Sequence, residues 1–196
     1  MDFHDPRILL WIATATYGLT FLAGLGSTTR SKGQEVSLAP LVLILIGFLF
    51  QTRAMYMRGL EVHGCPLGNS LERIQFILWS IVLAYLIMRI LFRLNLLGSF
   101  SAGLACVGGT LSLLVPNMDP PYWREPGYDR LFADPWIELH ASVAIFSYGL
   151  FALLGVVSFM YLTQQRALRL KRPGRLGSHL PSIHQLETGG ERLLLA

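Results

Sequence analysis

The run IQFILWSIVLAYLIMRILF, residues 74–92, carries one formal charge, Arg89, and that charge lies near its end. A helix needs about 20 apolar residues to cross the hydrocarbon layer of a bilayer, and a terminal arginine can snorkel to the headgroups. Lipid offers the backbone no hydrogen-bond partners, so a segment of this kind crosses as a helix that satisfies its own amides and carbonyls. The run therefore predicts a membrane-spanning helix, and with it a membrane protein.

Similar runs lie on both sides. Residues 8–26 and 36–52 are free of formal charge, 94–115 follows residue 92 after almost no connection, and 136–163 is long enough to tilt or to project beyond the bilayer. The expectation is an all-α, polytopic membrane helical bundle of about five transmembrane helices in one domain, 1–196, with a basic cytoplasmic tail over 164–192. Composition agrees, since 53% of the 196 residues are hydrophobic and 14% charged, with a mean hydropathy of +0.49. The basic residues fall in short blocks between apolar runs, which fits orientation in a membrane rather than nucleic-acid binding. Arg30, Lys32, Arg89, Arg93 and the cluster from Arg166 to Arg175 gather on one side if the N-terminus is outside. That is the arrangement the positive-inside rule favours. MDFHDPR lacks the basic start of a signal peptide, so the first helix is expected to stay. Leu193 to Ala196 read as the start of a further apolar run and raise the expectation of a C-terminally truncated chain.

Two outer segments, 54–73 and 116–135, are rich in Gly, Pro and aromatics, and Tyr122, Trp123, Tyr128 and Phe132 are expected at headgroup depth. His140 is the sharpest candidate for chemistry, because an imidazole at the mouth of a membrane helix must find a partner, water or a metal. In WIELHASVAIFSYG, positions 140, 144, 147 and 151 share a face, so Ala144 and Ser147 leave room beside the imidazole for a flat cofactor; Glu138 falls on another face. The other reading of His140 is an interfacial helix cap, and sequence alone leaves both open. His63 reads as a solvated loop histidine. Cys65 and Cys106 read as packing residues without metal or redox spacing.

In GCPLGNSLERIQFILW, Asn69 or Ser70 can cap the following helix, with Glu72 and Arg73 in its first turn. A carboxylate and an arginine at a bundle mouth can also hold a charged ligand, and Arg53 and Arg58 could join them against anionic groups such as propionates. No HExxH, Walker loop, GxSxG or CxxC occurs, which argues against a zinc protease, NTPase, serine hydrolase or thiol oxidoreductase. A transporter is disfavoured because no repeated broken helices are seen.

The series Pro66, Asn69, Glu72, Phe76, Trp79 and the segment WIELHASVAIFSYG, in that order, resemble the cytochrome c assembly family of CcsA/ResC-like haem-handling membrane proteins, with HemX and YpjD among its relatives. LPSIHQLETGGERLL is similar to the family's link into its next helix. The resemblance covers about residues 38–192. It implies non-covalent haem b as cofactor and His140 as an axial iron ligand, with Glu72, Arg73 and Ser147 as further cofactor-binding candidates. It also implies apocytochrome c and a partner membrane subunit of the cytochrome c synthetase as partners. The site would be the outer face of the plasma (inner) membrane. Membership of a haem lyase complex stays open, and a non-catalytic HemX-like subunit that regulates or scaffolds haem metabolism is the alternative. The family's tryptophan-rich haem-binding stretch lies beyond the link and is not matched here.

Overall fold

A computed structural model describes residues 5–27, 38–62, 64–92, 95–120, 134–169 and 183–194. His63 and the aromatics Tyr122, Trp123, Tyr128 and Phe132 lie outside the described residues, as do Arg30, Lys32 and the tail from 170 to 182. The helices run in the order α1 (Pro6–Ser27), α2 (Ala39–Val62), α3 (Ser70–Phe92), α4 (Asn95–Leu114), α5 (Pro135–Arg169) and α6 (Ile183–Leu194), with no strand among the described residues. Of these, α1, α2, α3 and α5 are long and apolar enough to cross a membrane, and α4 contributes a shorter apolar helix. The all-α membrane bundle expected from the hydropathy pattern is the fold.

Several boundaries differ from the sequence reading. α2 continues past Thr52 to Val62, and α3 begins at Ser70, so much of the expected outer loop 54–73 is helical. Arg53 ends an apolar count, but arginine, methionine and alanine are good helix formers, and a charge does not stop a helix. α5 likewise runs on to Arg169, and α6 lies within the segment expected to be a tail.

α1 packs on α2 and α4, and α3 packs on α4 and α5. α3 is the central helix, with 61% of its spanning window buried against 22% for α5. Its side chains Leu78, Ile81, Val82 and Tyr85 join Tyr17 of α1, Ile44 of α2, Ala102 and Ala105 of α4, and Leu153, Val157 and Met160 of α5 in one core. Close approach relies on small residues, as is usual where lipid gives helices no hydrophobic reason to associate. Large apolar side chains such as Leu49, Ile90, Val107, Phe151 and Phe159 point outward, as they would toward acyl chains. α6 is amphipathic: Leu186 is buried, His184 and Glu187 are exposed, and Gly190 lies against Leu154 and Val157 of α5.

A ladder of side-chain hydrogen bonds crosses this core. Tyr17 Oη donates to Gln51 Oε1 at 2.8 Å, Gln51 Nε2 donates to Gln75 Oε1 at 2.8 Å, and Gln75 Nε2 donates to Ser112 Oγ at 3.0 Å. One side chain from each of α1 to α4 is thereby joined in a single chain, and each buried amide finds a partner, as a low-dielectric interior requires.

Two glycines of α5 give a matched test. A Cβ at the buried Gly149 would fall against Ser80 Cβ and 3.1 Å from Ile77 O of α3, whereas one at Gly155 meets nothing within 4 Å. Gly149→Ala should destabilise by about 1–3 kcal/mol through overpacking, and Gly155→Ala should be neutral or stabilising by up to about 1 kcal/mol through helix propensity. Thermal unfolding in detergent reads both, and equal effects would mean that α5 does not dock through Gly149.

Candidate functional site

The ends of the bundle where α1, α3 and α5 begin and where α2 and α4 finish meet at one side, called the top. α3 starts there with a reciprocal cap. Asn69 Oδ1 accepts from Glu72 N–H at 2.8 Å, and Glu72 Oε2 accepts from Gly68 N–H at 3.0 Å and Asn69 N–H at 3.5 Å. Of the two caps the sequence allowed, Asn69 takes the role. Beyond α4, Asn117 adopts a left-handed φ of 65°, a conformation that asparagine tolerates. The turn brings Met118 O within 2.9 Å of Leu71 N–H and swings Asp119 over the top.

Asp119 is the centre of the resulting cluster. Arg58, on the last turns of α2, grips it with both terminal nitrogens, Nη1 to Oδ1 and Nη2 to Oδ2, each at 2.8 Å. Arg58 Nη1 also reaches Glu72 Oε1 at 3.2 Å. Asn69 Nδ2 donates to Asp119 at 3.0 Å, and Arg7 of α1 donates to Asp119 at 3.3 Å and to Leu113 O, near the end of α4, at 3.0 Å. Burial pushes the Asp119 carboxyl up, but the hydrogen bonds and charge of Arg58, with Arg7 and Asn69 behind them, outweigh it and hold the group below its ordinary range.

A second joint ties α5 to the short segment between α2 and α3. Cys65 N–H donates to the Glu138 carboxylate, and Ser142 Oγ lies 3.4 Å from Cys65 Sγ. Burial lifts the Cys65 thiol above its ordinary value, the Ser142 hydrogen bond opposes this, and the negative charges of Glu138 and Glu72 add to it. Cys65 is thus kept as a protonated packing thiol.

The sequence candidates separate in space. Glu72 is wholly buried and committed to the cap and to Arg58, so it faces the bundle interior. Arg58, grouped with it as a propionate contact, is engaged in the same cluster. Arg73 is exposed, with Nε on Asn69 O at 3.3 Å, so Glu72 and Arg73 form no common ligand grip. His140 is exposed on α5 and has no hydrogen-bond or ion-pair partner among the described residues. α5 itself starts on Asp134, whose carboxylate accepts from Trp136 N–H at 2.9 Å ahead of Pro135; the loop 121–133, which the capping reading of His140 would bond, lies outside the described residues. At 100° per residue, His140, Ala144 and Ser147 lie on the side away from Gly149, Leu153 and Met160, which are buried in the bundle. The face is open, and Ser147 is half-buried with its hydroxyl on Val143 O at 2.9 Å, so it offers small size rather than a free donor. Among the described residues there is no group of three or more His, Cys, Asp or Glu that could hold a metal ion. A haem iron takes only one or two axial ligands from protein, and an exposed imidazole above small side chains fits that demand. Asp119 and the Gln51 and Gln75 pair were not singled out in the sequence; an acid in PNMDPP, at the same end as Arg58, was the available signal.

Residues 67–195 match the family described as Cytochrome C assembly protein, which is most of the chain, and the chain belongs to that family. It is 28% identical over 145 residues to Protein HemX of Brevibacillus brevis, covering 74% of this chain and 52% of that protein. It is 24% identical over 122 residues to Protein HemX of Bacillus subtilis (strain 168), covering 62% and 43%. A 52-residue stretch is 38% identical to an uncharacterized 28.8 kDa protein of Azospirillum brasilense, covering 26% and 19%. The chain thus spans about half the length of the HemX proteins it matches. No solved structure matches it.

The top cluster makes a prediction with a definite sign. Because the folded-state pKa of Asp119 is lowered, its contribution is present above the ordinary carboxylate range and is lost as pH falls through the folded value. Wild type should melt above Asp119→Asn by a constant margin from pH 7 down to about pH 5, and the margin should shrink below about pH 4. A margin that stays constant through pH 3 would show that the Asp119 charge is not what holds the top together.

Proposed function

We propose that this chain serves cytochrome c biogenesis by holding haem b at the outer face of the plasma (inner) membrane, for attachment to apocytochrome c. Membership of the cytochrome c assembly family supports the class of process. The observation that carries the site is the exposed His140 imidazole, without a described partner, on the face of α5 that the bundle does not bury. In this reading His140 would hold the haem iron, Ala144 and Ser147 would allow close approach, and the Glu138 and Ser142 contacts to Cys65 fix the orientation of the helix. The haem, when bound, supplies the group that apocytochrome thiols take up, so Cys65 and Cys106 are not needed as nucleophiles. A face this open needs a second wall, and the reading assigns it to a partner membrane subunit. The likeness to two HemX proteins favours a second reading, a non-catalytic membrane subunit that regulates or scaffolds haem metabolism.

The orientation proposed places the N-terminus and the start of α5 outside, with Arg166 and Arg169 in the cytoplasm. A cytoplasm-only reporter fused after Arg169 should give signal, and one fused at Asp119 should be silent; the reverse pattern overturns the orientation.

Ligation is read from the Soret band of membranes carrying the chain. His140→Ala and His140→Gly should lose most bound haem, and added imidazole should restore it in the glycine variant, whose cavity admits the free base. Haem content that is unchanged in both variants rejects His140 as the ligand.

A further inference from the structure

α2 and α3 part near the top around a cavity of about 600 Å³, lined by Thr52, Tyr56 and Leu60 on α2, by Phe76 and Trp79 on α3, and by Pro66 of the connection between them. The volume is that of a small-molecule site. Tyr56 and Leu60 are more than half exposed, so the cavity opens to the outside of the bundle. Its inner wall is aromatic and rigid: Trp79 stacks on Phe48 at a centroid distance of 5.6 Å and an interplanar angle of 20°, and Phe76 leans on Trp79 at 5.6 Å. The polar atoms of that wall are already matched, since Trp79 Nε1 donates to Thr52 Oγ at 2.9 Å and Thr52 donates to Phe48 O at 2.7 Å. An occupant therefore meets a flat apolar surface with no hydrogen bond on offer at its back.

The rim is charged. Arg53 is exposed and three residues from Tyr56 on α2; Arg73 is exposed and three residues from Phe76 on α3. Residues three apart are neighbours on a helix surface, so each wall of the cleft carries one arginine within a turn of a lining aromatic. Two cations flanking an apolar slot complement a flat apolar body that carries two anions.

We propose that the α2–α3 cleft receives the ring of a tetrapyrrole dicarboxylate, with its two carboxylates on Arg53 and Arg73. The proposal rests on the haem reading above but uses neither iron nor His140. It makes the cleft a metal-independent docking place, apart from the α5 face on which His140 stands.

The experiment titrates metal-free protoporphyrin IX into the purified full chain in lipid nanodiscs of neutral phosphatidylcholine, reading porphyrin fluorescence. Leu60→Trp fills the mouth of the cleft, and Arg53→Gln and Arg73→Gln remove the rim charges; all three positions are exposed, so the fold tolerates them. Each arginine change should weaken binding by roughly tenfold, the double change by more, and Leu60→Trp by at least as much. His140→Ala should leave porphyrin affinity unchanged, and the porphyrin dimethyl ester should bind weakly and without sensitivity to the arginines. Affinity indifferent to Leu60→Trp, or lost in His140→Ala, overturns the cleft. So does a co-purifying phospholipid that blocks porphyrin and disappears in Leu60→Trp, which makes the cleft a lipid site. Ferric haem titrated in parallel separates the two ideas. A His140-dependent Soret shift with cleft-indifferent porphyrin binding sinks the cleft alone, and binding of neither molecule sinks the haem reading with it.

Discussion

The guanidinium of Arg58 lies inside the apolar length of α2 with 9% of its side chain exposed, and a buried cation without partners is costly enough to unfold a small bundle. The structure answers with two carboxylates from different parts of the chain. Glu72 comes from the first turn of α3, where it also closes the cap, and Asp119 comes from beyond α4, turned inward by the left-handed Asn117. Arg7 then ties α1 to Asp119 and to the end of α4. One cation thus sets where α2 may end, where α3 must begin and how the chain leaves α4. Below it, the ladder from Tyr17 to Ser112 repeats the same joining of α1 to α4 with neutral groups.

This division leaves α5 different in kind. α1 to α4 are joined by polar networks at two levels, while α5 is held by close packing of Gly149 on α3 and by the Glu138 and Ser142 contacts to Cys65. Its opposite side is open and carries His140. A side chain on the free face of a helix whose other face is fixed is positioned without being covered. The family match spans both the capped start of α3 and this face.

The helices were legible because lipid imposes a length and forbids unsatisfied backbone, so an apolar count such as 74–92 translates directly into an element. The same count failed at Arg53, because it treats every charge as a boundary, while Arg58 is a charge with partners and stays in the helix. Those partners were hidden for a physical reason. Asp119 is 61 residues from Arg58, and nothing in a linear reading tells an acid in a Pro-rich turn that it will fold over a helix end. Asn69 was legible as a cap because capping is local, three residues wide. His140 stood out through its segment, but its exposure depended on which side of α5 the core would claim. The weak amphipathicity of membrane helices does not announce that choice.

The pairing of Arg58 also bears on how the chain enters the bilayer during synthesis. α2 leaves the ribosome before either carboxylate partner of Arg58 exists, and a still unpaired Arg58 with Gln51 in the core makes it a poor helix to leave among lipids. α3 brings Glu72 within 14 residues of Arg58, so the two helices neutralise each other when they move into the membrane as a hairpin. The second carboxylate arrives only after α4 has been made. The polar joint of the first four helices is therefore complete in the chain only once residue 119 has been made, before the sequence of α5 begins.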